Sequence, residues 1–274
     1  MIKIENFEVV GMEHAIRGMR NPKNSWEKSD SFMCEPGVEQ ECPDNCTFKL
    51  SEDGCPLKVD DSLYVAGPND LTLMKKLAAG GPVHAKYRRM IAVYLDITAP
   101  LYWWKEFDTY KVGTVANSCS TMHKIHEKEF MLEDFSCEHL MDSDDATKYG
   151  VWIDYGSEYS DAPLGVLEYL VNGLNVCRER FLKAKENGAD GHTLKRYWWQ
   201  MIQLLPSSYN QKRTIMLNYE VLTGIYKSRK DHKLDEWREF CKWIEQLPYS
   251  EIITGVRDVD MSKIRQKNYG TKEE

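Results

Sequence analysis

Amphipathic helical patterns fill the last third of this sequence, and they limit the possible folds more than any other feature does. The segments that place apolar side chains along one helix face cover 162–191, 192–206, 207–229 and 232–248. Residues 2–10 and 88–98 instead alternate apolar and polar side chains, as strands do. Strand patterns that precede a run of helices predict an α+β fold with a helical C-terminal third.

Capping residues define the starts of two predicted helices. The helix at 207–229 begins at a serine cap, because serine hydroxyls accept hydrogen bonds from first-turn amides. A further helix within 67–81 has Asn69 as its predicted N-cap, and Gly80 and Gly81 end it.

The composition is that of an ordinary globular protein with an acidic balance. The 274 residues are 42% hydrophobic and 29% charged, with a formal net charge of −7. That charge argues against a general binder of nucleic acid or anionic membranes, and no apolar run reaches the roughly 20 residues of a membrane-spanning helix. A signal-peptide pattern is absent at the N-terminus, so we expect a soluble cytoplasmic protein. Without repeats or linkers, the sequence predicts one domain over 1–274 with a polar tail at 262–274.

Half of the eight cysteines are crowded into one short segment. Cys34, Cys42, Cys46 and Cys55 lie on a loop within a predicted insertion at 30–66. Disulfides are rare in a reducing cytosol, whereas four thiolates can bind a tetrahedral zinc ion. The spacing lacks the paired Cys-x-x-Cys of the strongest zinc motifs, so the alternative is a reduced acidic loop.

The segment 98–128 places aromatic side chains directly before a dense series of small polar ones. The rings that can pack against a flat ligand are those of Trp103, Trp104 and Tyr110. The side chains that can hydrogen-bond its edges are those of Asn117, Ser118 and Ser120, and Lys111 offers a charge for phosphate. This pattern is typical of a nucleotide pocket, although the two tryptophans fit packing in the core equally well.

The same region resembles the flavin-dependent thymidylate synthases (ThyX). Their pattern is a Gly-His segment, a strand, Ala-Pro, a helix with a Gln, and then Arg-His-Arg-x-x-Ser-x-Asn-Glu-x-Ser-x-Arg-Tyr. His84 lies sixteen residues before Pro100, where the family has a flavin-contacting His. The positions that match the later motif are Asp108 to Lys111 for Arg-His-Arg, Thr114 for the first Ser, Asn117 and Ser118 for Asn-Glu, and Ser120 for the next Ser. The resemblance therefore implies catalytic positions at Tyr110 and Lys111.

A second resemblance to the family lies in the helical third. Pro206, Asn218 and Arg229 keep the separations of the family's Leu-Pro, helix Asn and Leu-x-x-Arg positions without a gap. In the family that Asn contacts the flavin and that Arg binds deoxyuridylate. The resemblance therefore implies a cofactor-binding role for Asn218, together with His84, and a substrate-binding role for Arg229.

Several positions depart from the family pattern. Only Lys111 keeps a positive charge in the Arg-His-Arg region, and lysine lacks the planar fork of arginine. The motif Glu is Ser118, and the following Arg is Met122. The helix Gln is Glu106, whose carboxylate repels a phosphate unless it accepts a hydrogen bond. These changes bear on the reaction more than on the fold.

The resemblance implies a single domain in which an antiparallel sheet packs with helices, and it implies FAD and a pyrimidine deoxynucleotide as ligands. The implied substrate-binding residues are Glu106, Asn117, Ser118, Ser120 and Arg229. The family's reaction is reductive methylation of deoxyuridylate in a homotetramer, with carbon from methylenetetrahydrofolate and hydride from NADPH through the flavin. The alternative is a catalytically inactive nucleotide-binding protein on the same fold.

Overall fold

The computed structural model describes residues 2–34, 63–154, 156 and 160–255, and it combines helices with antiparallel sheet as the sequence predicts. Their contacts form two compact units. As far as they are described, the first unit contains 2–4, 96–109 and 117–214, and the second contains 5–95, 110–116 and 215–255.

One four-stranded sheet and two two-stranded sheets account for the strands of the described residues. The strands are β1 Lys3–Val10, β2 Phe32–Cys34, β3 Leu63–Val65, β4 Ala92–Pro100, β5 Val115–Ser118, β6 Ile153–Asp154, β7 Ser160–Asp161 and β8 Asn210–Asn218. The sheet has the order β1-β4-β8-β5, while β2 pairs antiparallel with β3 and β6 with β7. The strands predicted at 2–10 and 88–98 are found as β1 and β4, but residues 88–90 belong to a 3-10 helix and β4 begins at Ala92. Alternate residues of β4, including Val93, Leu95 and Ile97, are buried.

The helices of the described residues concentrate after residue 160, as predicted. They are α1 Met12–Arg20, α2 Pro68–Ala79, α3 Leu101–Phe107, α4 Thr121–Lys124, α5 Ser143–Tyr149, α6 Pro163–Glu186, α7 Gly191–Leu204, α8 Tyr219–Arg229, α9 Asp235–Ile244 and α10 Glu251–Thr254. The patterns at 162–191, 192–206 and 232–248 are confirmed as α6, α7 and α9. No helix among the described residues is long and apolar enough to cross a membrane.

The first unit has its core where α6 packs against α7. Leu174 of α6 and Met201 of α7 are fully buried there, and Phe130 and Phe135 join the same cluster. These contacts come from apolar faces repeating every three to four residues.

The second unit has its core around α8 and α9. Trp237, Phe240 and Ile244 line one face of α9 and are fully buried, as are Tyr219 and Leu222 of α8. Of the apolar face that the sequence pattern predicts, Trp237, Cys241 and Ile244 are buried, whereas Leu234 is half-buried and precedes α9.

A buried ion pair fixes the start of α2 in the second unit. Arg20 Nε donates to Asp70 Oδ1 at 2.6 Å, and the hydroxyls of Ser29 and Ser31 donate to Asp70 Oδ2 at 2.7 and 2.6 Å. Burial alone would raise the pKa of Asp70, but these donors outweigh it and hold that pKa below its ordinary value. The carboxylate is therefore ionised at neutral pH.

The prediction of one helix over 207–229 is wrong in its first half. Residues 210–218 form strand β8, and only Tyr219–Arg229 is helical. Gln211, Ile215 and Leu217 face inward on the strand. These positions differ by two or four residues, so they lie on the same face of a pleated strand. Pairing inside the sheet outweighs the local helix propensity of this segment.

The predicted N-cap at Asn69 is also wrong, because α2 begins at Pro68 after Gly67. The carboxylate of Asp30 accepts hydrogen bonds from the backbone N–H groups of Asn69 and Asp70, at 2.9 and 3.1 Å. A residue distant in the sequence thus satisfies the first-turn amides that a local cap would otherwise serve.

Several predictions fall wholly or partly outside the described residues. Cys42, Cys46 and Cys55 lie outside them, as does the tail at 262–274, whereas Cys34 ends β2. Among the described residues, no group of three or more His, Cys, Asp or Glu side chains can hold a metal. The insertion, its zinc site and the single domain stay predictions.

Candidate functional site

Asn218 joins strand β8 to helix α8 in the second unit. Its Oδ1 accepts hydrogen bonds from the backbone N–H groups of Glu220 and Val221, both at 3.1 Å. This is the side-chain cap that asparagine makes at helix starts, and it fixes where α8 begins.

Gly113, in the loop that precedes β5, packs against this start of α8. Gly113 has a φ of +81°, and a Cβ there would lie 3.0 Å from Asn218 Nδ2 and 3.2 Å from Val221 Cγ2. Glycine is required because other residues disfavour that backbone conformation and would crowd the helix. Next to it, Thr114 Oγ1 is buried with no hydrogen-bond partner among the described residues.

Arg229, the last residue of α8, contacts three side chains. We name this group the arginine–aromatic cluster; it consists of Tyr110, Arg229, His232 and Trp237. Arg229 Nε donates to Tyr110 Oη at 2.9 Å. The guanidinium carbon lies 4.7 Å from the centre of the Trp237 ring, within the range of a cation–π contact. A half-buried guanidinium is thus fixed in orientation by a phenol and an indole.

His232 completes the cluster through its two ring nitrogens. Nε2 lies 2.9 Å from Arg229 Nη1, and Nδ1 lies 3.2 Å from the backbone nitrogen of Leu234. A neutral imidazole has one acceptor nitrogen, so the two contacts cannot both be hydrogen bonds. The contact with Arg229 is shorter and charge-assisted, which assigns the acceptor to Nε2.

A second face of α8 borders a cavity of about 930 Å³, which we name the basic cavity. Its wall includes Lys75, Lys76, Ala78 and Ala79 of α2, and Glu220, Thr223, Gly224, Tyr226 and Lys227 of α8. Lys230, residues 251–255, Arg88 and the turn at 81–82 complete it. All of these residues belong to the second unit.

Two ion pairs neutralise part of the charge in this wall. Arg88 Nε lies 2.8 Å from Glu220 Oε2, and Arg88 Nη1 donates to the carbonyl of Ile252 at 3.0 Å. Lys75 Nζ lies 3.3 Å from Glu251 Oε1. Burial and the neighbouring Glu245 carboxylate raise the pKa of Tyr226, a further wall residue, so its phenol stays neutral and donates to Glu245.

The predicted residues divide between the two units. Tyr110, Lys111, His84, Asn218 and Arg229 belong to the second unit, which brings Tyr110 into contact with Arg229. Lys111 and His84 are exposed, and the His84 ring lies beside Gly80.

The other predicted residues belong to the first unit. Glu106 lies on α3, half-buried, and Asn117 and Ser118 are exposed on β5. Ser120 caps α4, where its Oγ accepts the backbone N–H of His123 at 3.0 Å. That contact leaves the hydroxyl hydrogen of Ser120 available as a donor.

Trp103 and Trp104 are core residues, with relative exposures of 0% and 1%. The Trp103 ring stacks on Phe107 at 5.0 Å, and Trp104 Nε1 donates to the carbonyl of Gln211 at 2.9 Å. Core packing is therefore the correct one of the two alternatives, and neither ring is available to a ligand.

Sequence reasoning missed His232, Trp237 as a partner of Arg229, and the lysines of the basic cavity. A signal for His232 was present, because a residue three positions after Arg229 can reach it past the helix end. No local signal shows which residues of α2 and α8 face each other across the cavity.

Comparison with solved structures identifies the fold. A crystal structure of thymidylate synthase X from Helicobacter pylori with FAD and dUMP covers 93% of this chain and 97% of its own, at 14% identity and a TM-score of 0.53. A flavin-dependent thymidylate synthase from the same bacterium, complexed with FAD and dUMP, covers 92% and 96%, at 14% identity and a TM-score of 0.52. This chain has the fold of the flavin-dependent thymidylate synthases.

The predicted resemblance to these synthases is thus confirmed for the fold over most of the chain. A UMP/dUMP methylase from Streptomyces cacaoi, bound with 5-Br dUMP, covers 93% of this chain and 95% of its own at 12% identity, with a TM-score of 0.49. No family model and no curated protein sequence matches the chain.

Proposed function

We propose that this chain binds FAD and a pyrimidine deoxynucleotide and catalyses the reductive methylation of deoxyuridylate or a related pyrimidine. The contact between Arg229 and Tyr110 carries the proposal. These residues lie 119 positions apart, and the resemblance implies substrate binding for the first and a catalytic position for the second. In support, both Helicobacter pylori synthases of this fold contain FAD and dUMP.

The residues of the second unit suit a flavin dinucleotide. The basic cavity, at about 930 Å³, is within the roughly 300–1,000 Å³ typical of small-molecule sites. Its ammonium groups complement a diphosphate, and Ile252 and Ile253 add apolar surface. We assign His84 and Asn218 to the same cofactor because the resemblance implies it.

The chain's own residues would bind and orient the substrate. Bound FAD supplies the hydride chemistry that protein side chains lack, with NADPH as reductant and methylenetetrahydrofolate as carbon donor. Arg229, held by Tyr110 and Trp237, would present its planar fork to the nucleotide's phosphate or carbonyl. Lys111 would add a point charge for phosphate, and donors fixed in this way lower the barrier through orientation.

The first-unit residues complete the proposed substrate set. We assign Glu106, Asn117, Ser118 and Ser120 to the pyrimidine nucleotide, as the resemblance implies. The hydroxyl hydrogen of Ser120, free of its capping contact, would donate to the ligand. We also propose a homotetramer, which light scattering of the purified protein would test.

Visible absorption tests the flavin part of the proposal. The purified protein is titrated with FAD and then with deoxyuridylate. We expect a bound-flavin spectrum that shifts when the nucleotide is added, and NADPH oxidation that requires both nucleotide and methylenetetrahydrofolate. A spectrum that stays that of free FAD at saturation, with no flavin retained by the protein after desalting, would contradict the proposal.

A nucleotide-binding protein without turnover is the second candidate. Its support is the stretch 108–111, Asp-Thr-Tyr-Lys, which carries a single positive charge. This candidate predicts that deoxyuridylate still binds but NADPH is not oxidised in its presence.

Substituting Lys111 with alanine tests where the nucleotide lies under both candidates. We expect deoxyuridylate binding to be lost, because this removes the one cation of that stretch. Lys105→Ala, at an exposed lysine of α3, is the control and should bind normally. Unchanged affinity in the Lys111→Ala variant would contradict our placement of the pocket.

A further inference from the structure

Ser120, which we assign to the pyrimidine nucleotide, is exposed between a residue tied to strand β8 and the short helix α4. The N–H of Cys119 donates to the carbonyl of Lys212 at 2.9 Å, and its carbonyl accepts Gln211 Nε2 at 3.0 Å. On the other side, α4 has only four residues. A helix of that length is unstable by itself in water, so contacts from elsewhere in the first unit must order it.

Two side chains of the α6–α7 pair donate hydrogen bonds to the backbone of this segment. Trp198 Nε1 of α7 donates to the carbonyl of Met122 at 2.8 Å. Arg178 Nε of α6 donates to the carbonyl of His126 at 3.0 Å, and its Nη2 donates to that of Glu127 at 3.4 Å. These carbonyls lie within and just after α4, where a helix end leaves C=O groups without an intrahelical partner.

Apolar packing alone does not explain these contacts. Ile125 is buried in the core of the first unit, and the centre of the His126 ring lies 4.6 Å from that of Phe181. Such packing is non-directional, so it holds the segment near α6 without fixing the direction of its backbone. Hydrogen bonds to three carbonyl groups do fix that direction, because each carbonyl accepts only within a limited range of angles.

We infer that Trp198 and Arg178 are positioning residues of the proposed substrate site. They hold residues 121–127 against α6 and α7, and they thereby set the place from which the Ser120 hydroxyl would contact the nucleotide. The inference rests on the proposed function, which assigns Ser120 to that ligand. Neither side chain needs to touch the nucleotide, because each acts through the backbone that follows Ser120.

Replacing Trp198 with phenylalanine removes the indole donor and keeps an aromatic ring in its place. One hydrogen bond is lost, so we expect deoxyuridylate affinity, measured by calorimetry with FAD present, to fall about threefold to tenfold. Trp199→Phe is the matched control, because this neighbouring indole is 39% exposed and has no hydrogen bond among the described residues. Its affinity should stay within about twofold of the wild-type value.

Arg178 gives a second variant with a conservative rescue. Arg178→Gln loses a charged donor to two carbonyls, so we expect deoxyuridylate affinity to fall about tenfold. Arg178→Lys keeps a charged donor without the planar fork and should recover part of that affinity. Arg180→Gln, at an exposed arginine of the same helix, is the control and should bind normally.

A double-mutant cycle separates positioning from a purely structural role. If Trp198 acts through Ser120, adding Trp198→Phe to Ser120→Gly should lower deoxyuridylate affinity by less than about twofold more. Glycine is chosen because it caps a helix nearly as well as serine does. Losses that add fully in the double variant would overturn the inference.

Hydrogen exchange tests the same contacts without any ligand. In the free Trp198→Phe and Arg178→Gln proteins, the amides of residues 121–128 should exchange at least about threefold faster than in wild type. The amides of the buried strand β4 should keep their rates in both variants. Unchanged exchange at 121–128 would overturn the inference.

The outcomes separate this inference from the proposed function. If wild-type protein binds deoxyuridylate and the Trp198→Phe and Arg178→Gln variants bind it equally well, the inference fails and the proposed function stands. The same conclusion follows if Ser120→Gly alone leaves the affinity unchanged. If wild-type protein binds no deoxyuridylate, the proposed function fails and the inference fails with it.

Discussion

The arginine–aromatic cluster and the basic cavity lie on different faces of α8, and they hold positive charge in opposite ways. In the cluster, one guanidinium is oriented by the Tyr110 hydroxyl and the Trp237 ring. In the cavity, Lys76, Lys227 and Lys230 line an open space of about 930 Å³, and these flexible side chains form no ion pair among the described residues. A fixed planar fork selects the geometry of its ligand, whereas mobile point charges mainly select its charge.

This difference suits two kinds of ligand contact. In the proposed function the cluster would orient the substrate, because its donor directions are set before binding. The cavity would retain a phosphate-bearing group whose exact position matters less. Each of the following predictions separates the two regions or tests whether they are separate.

Removing the guanidinium of Arg229 should give the largest effect. In Arg229→Ala we expect affinity for deoxyuridylate to fall at least about 100-fold, on the order of 3 kcal/mol, because an oriented charged donor is lost. Affinity for the cavity ligand should change less than about threefold, since Arg229 lies outside the cavity wall. Isothermal calorimetry with each ligand measures both values.

Arg238→Ala on α9 is the control for that loss, because its guanidinium is partly exposed and pairs with Asp235 on the surface. Equal losses for both ligands in Arg229→Ala would mean that cluster and cavity form one site.

Asp70→Asn should loosen the α2 side of the cavity and leave the cluster intact. The variant leaves buried Arg20 without its counter-charge, so the free energy of unfolding should fall by about 3 kcal/mol. Asp108→Asn breaks an ion pair whose carboxylate is 49% exposed, and should cost less than about 1 kcal/mol. Denaturant titration compares the two variants, and equal losses would contradict the role of burial.

The same carboxylate predicts a pH dependence. The pKa of Asp70 is lower in the folded chain than in the unfolded chain, so its stabilisation is complete at neutral pH. It is lost progressively as the pH falls below about 4, through the folded-state pKa. Wild-type protein should therefore lose more stability than Asp70→Asn between pH 5 and pH 3, by up to about 1 kcal/mol in urea titrations. Parallel losses would contradict the assignment.

His232 should contribute a smaller effect, confined to the cluster. His232→Ala removes the acceptor beside Arg229 Nη1, and we expect deoxyuridylate affinity to fall about tenfold through misorientation of the guanidinium. His232→Gln restores an acceptor and should recover part of the loss. A purely structural role would instead lower the melting temperature equally in both variants.

Gly224→Ala should give the smallest change, and of the opposite sign. Its Cβ meets no atom within 4 Å and the residue is helical, so alanine should raise the free energy of unfolding by about 0.5–1 kcal/mol. Gly150→Ala, where space is equally open but φ is +67°, should lower it by about 1 kcal/mol. If thermal unfolding shows that both substitutions change the free energy of unfolding in the same direction, the role given to the backbone conformation of the two glycines is wrong.

The sequence predicts the cluster better than the cavity for a physical reason. Tyr110 and Arg229 follow from spacing that can be compared with a family. The lysines of the cavity line one surface only when α2 and α8 face each other. The packing of these two helices depends on long-range contacts such as the Arg20–Asp70 pair.

The error in 207–229 has the same origin. Residues 211, 215 and 217 fit one face of a strand, yet other apolar residues of the segment fit the spacing of a helix face. Sheet pairing decided between them, and local propensity could not. Conversely, α6, α7 and α9 were predictable because their apolar faces repeat over many turns.

The most direct test of the account is calorimetric titration of deoxyuridylate into protein already saturated with FAD. If the two ligands bind to separate regions, deoxyuridylate should still bind and the flavin should stay bound. The stoichiometry of deoxyuridylate binding should be the same as in the presence of subsaturating FAD. Displacement of FAD by deoxyuridylate would show that the two ligands compete for one region, and it would contradict the division of α8 into two binding faces.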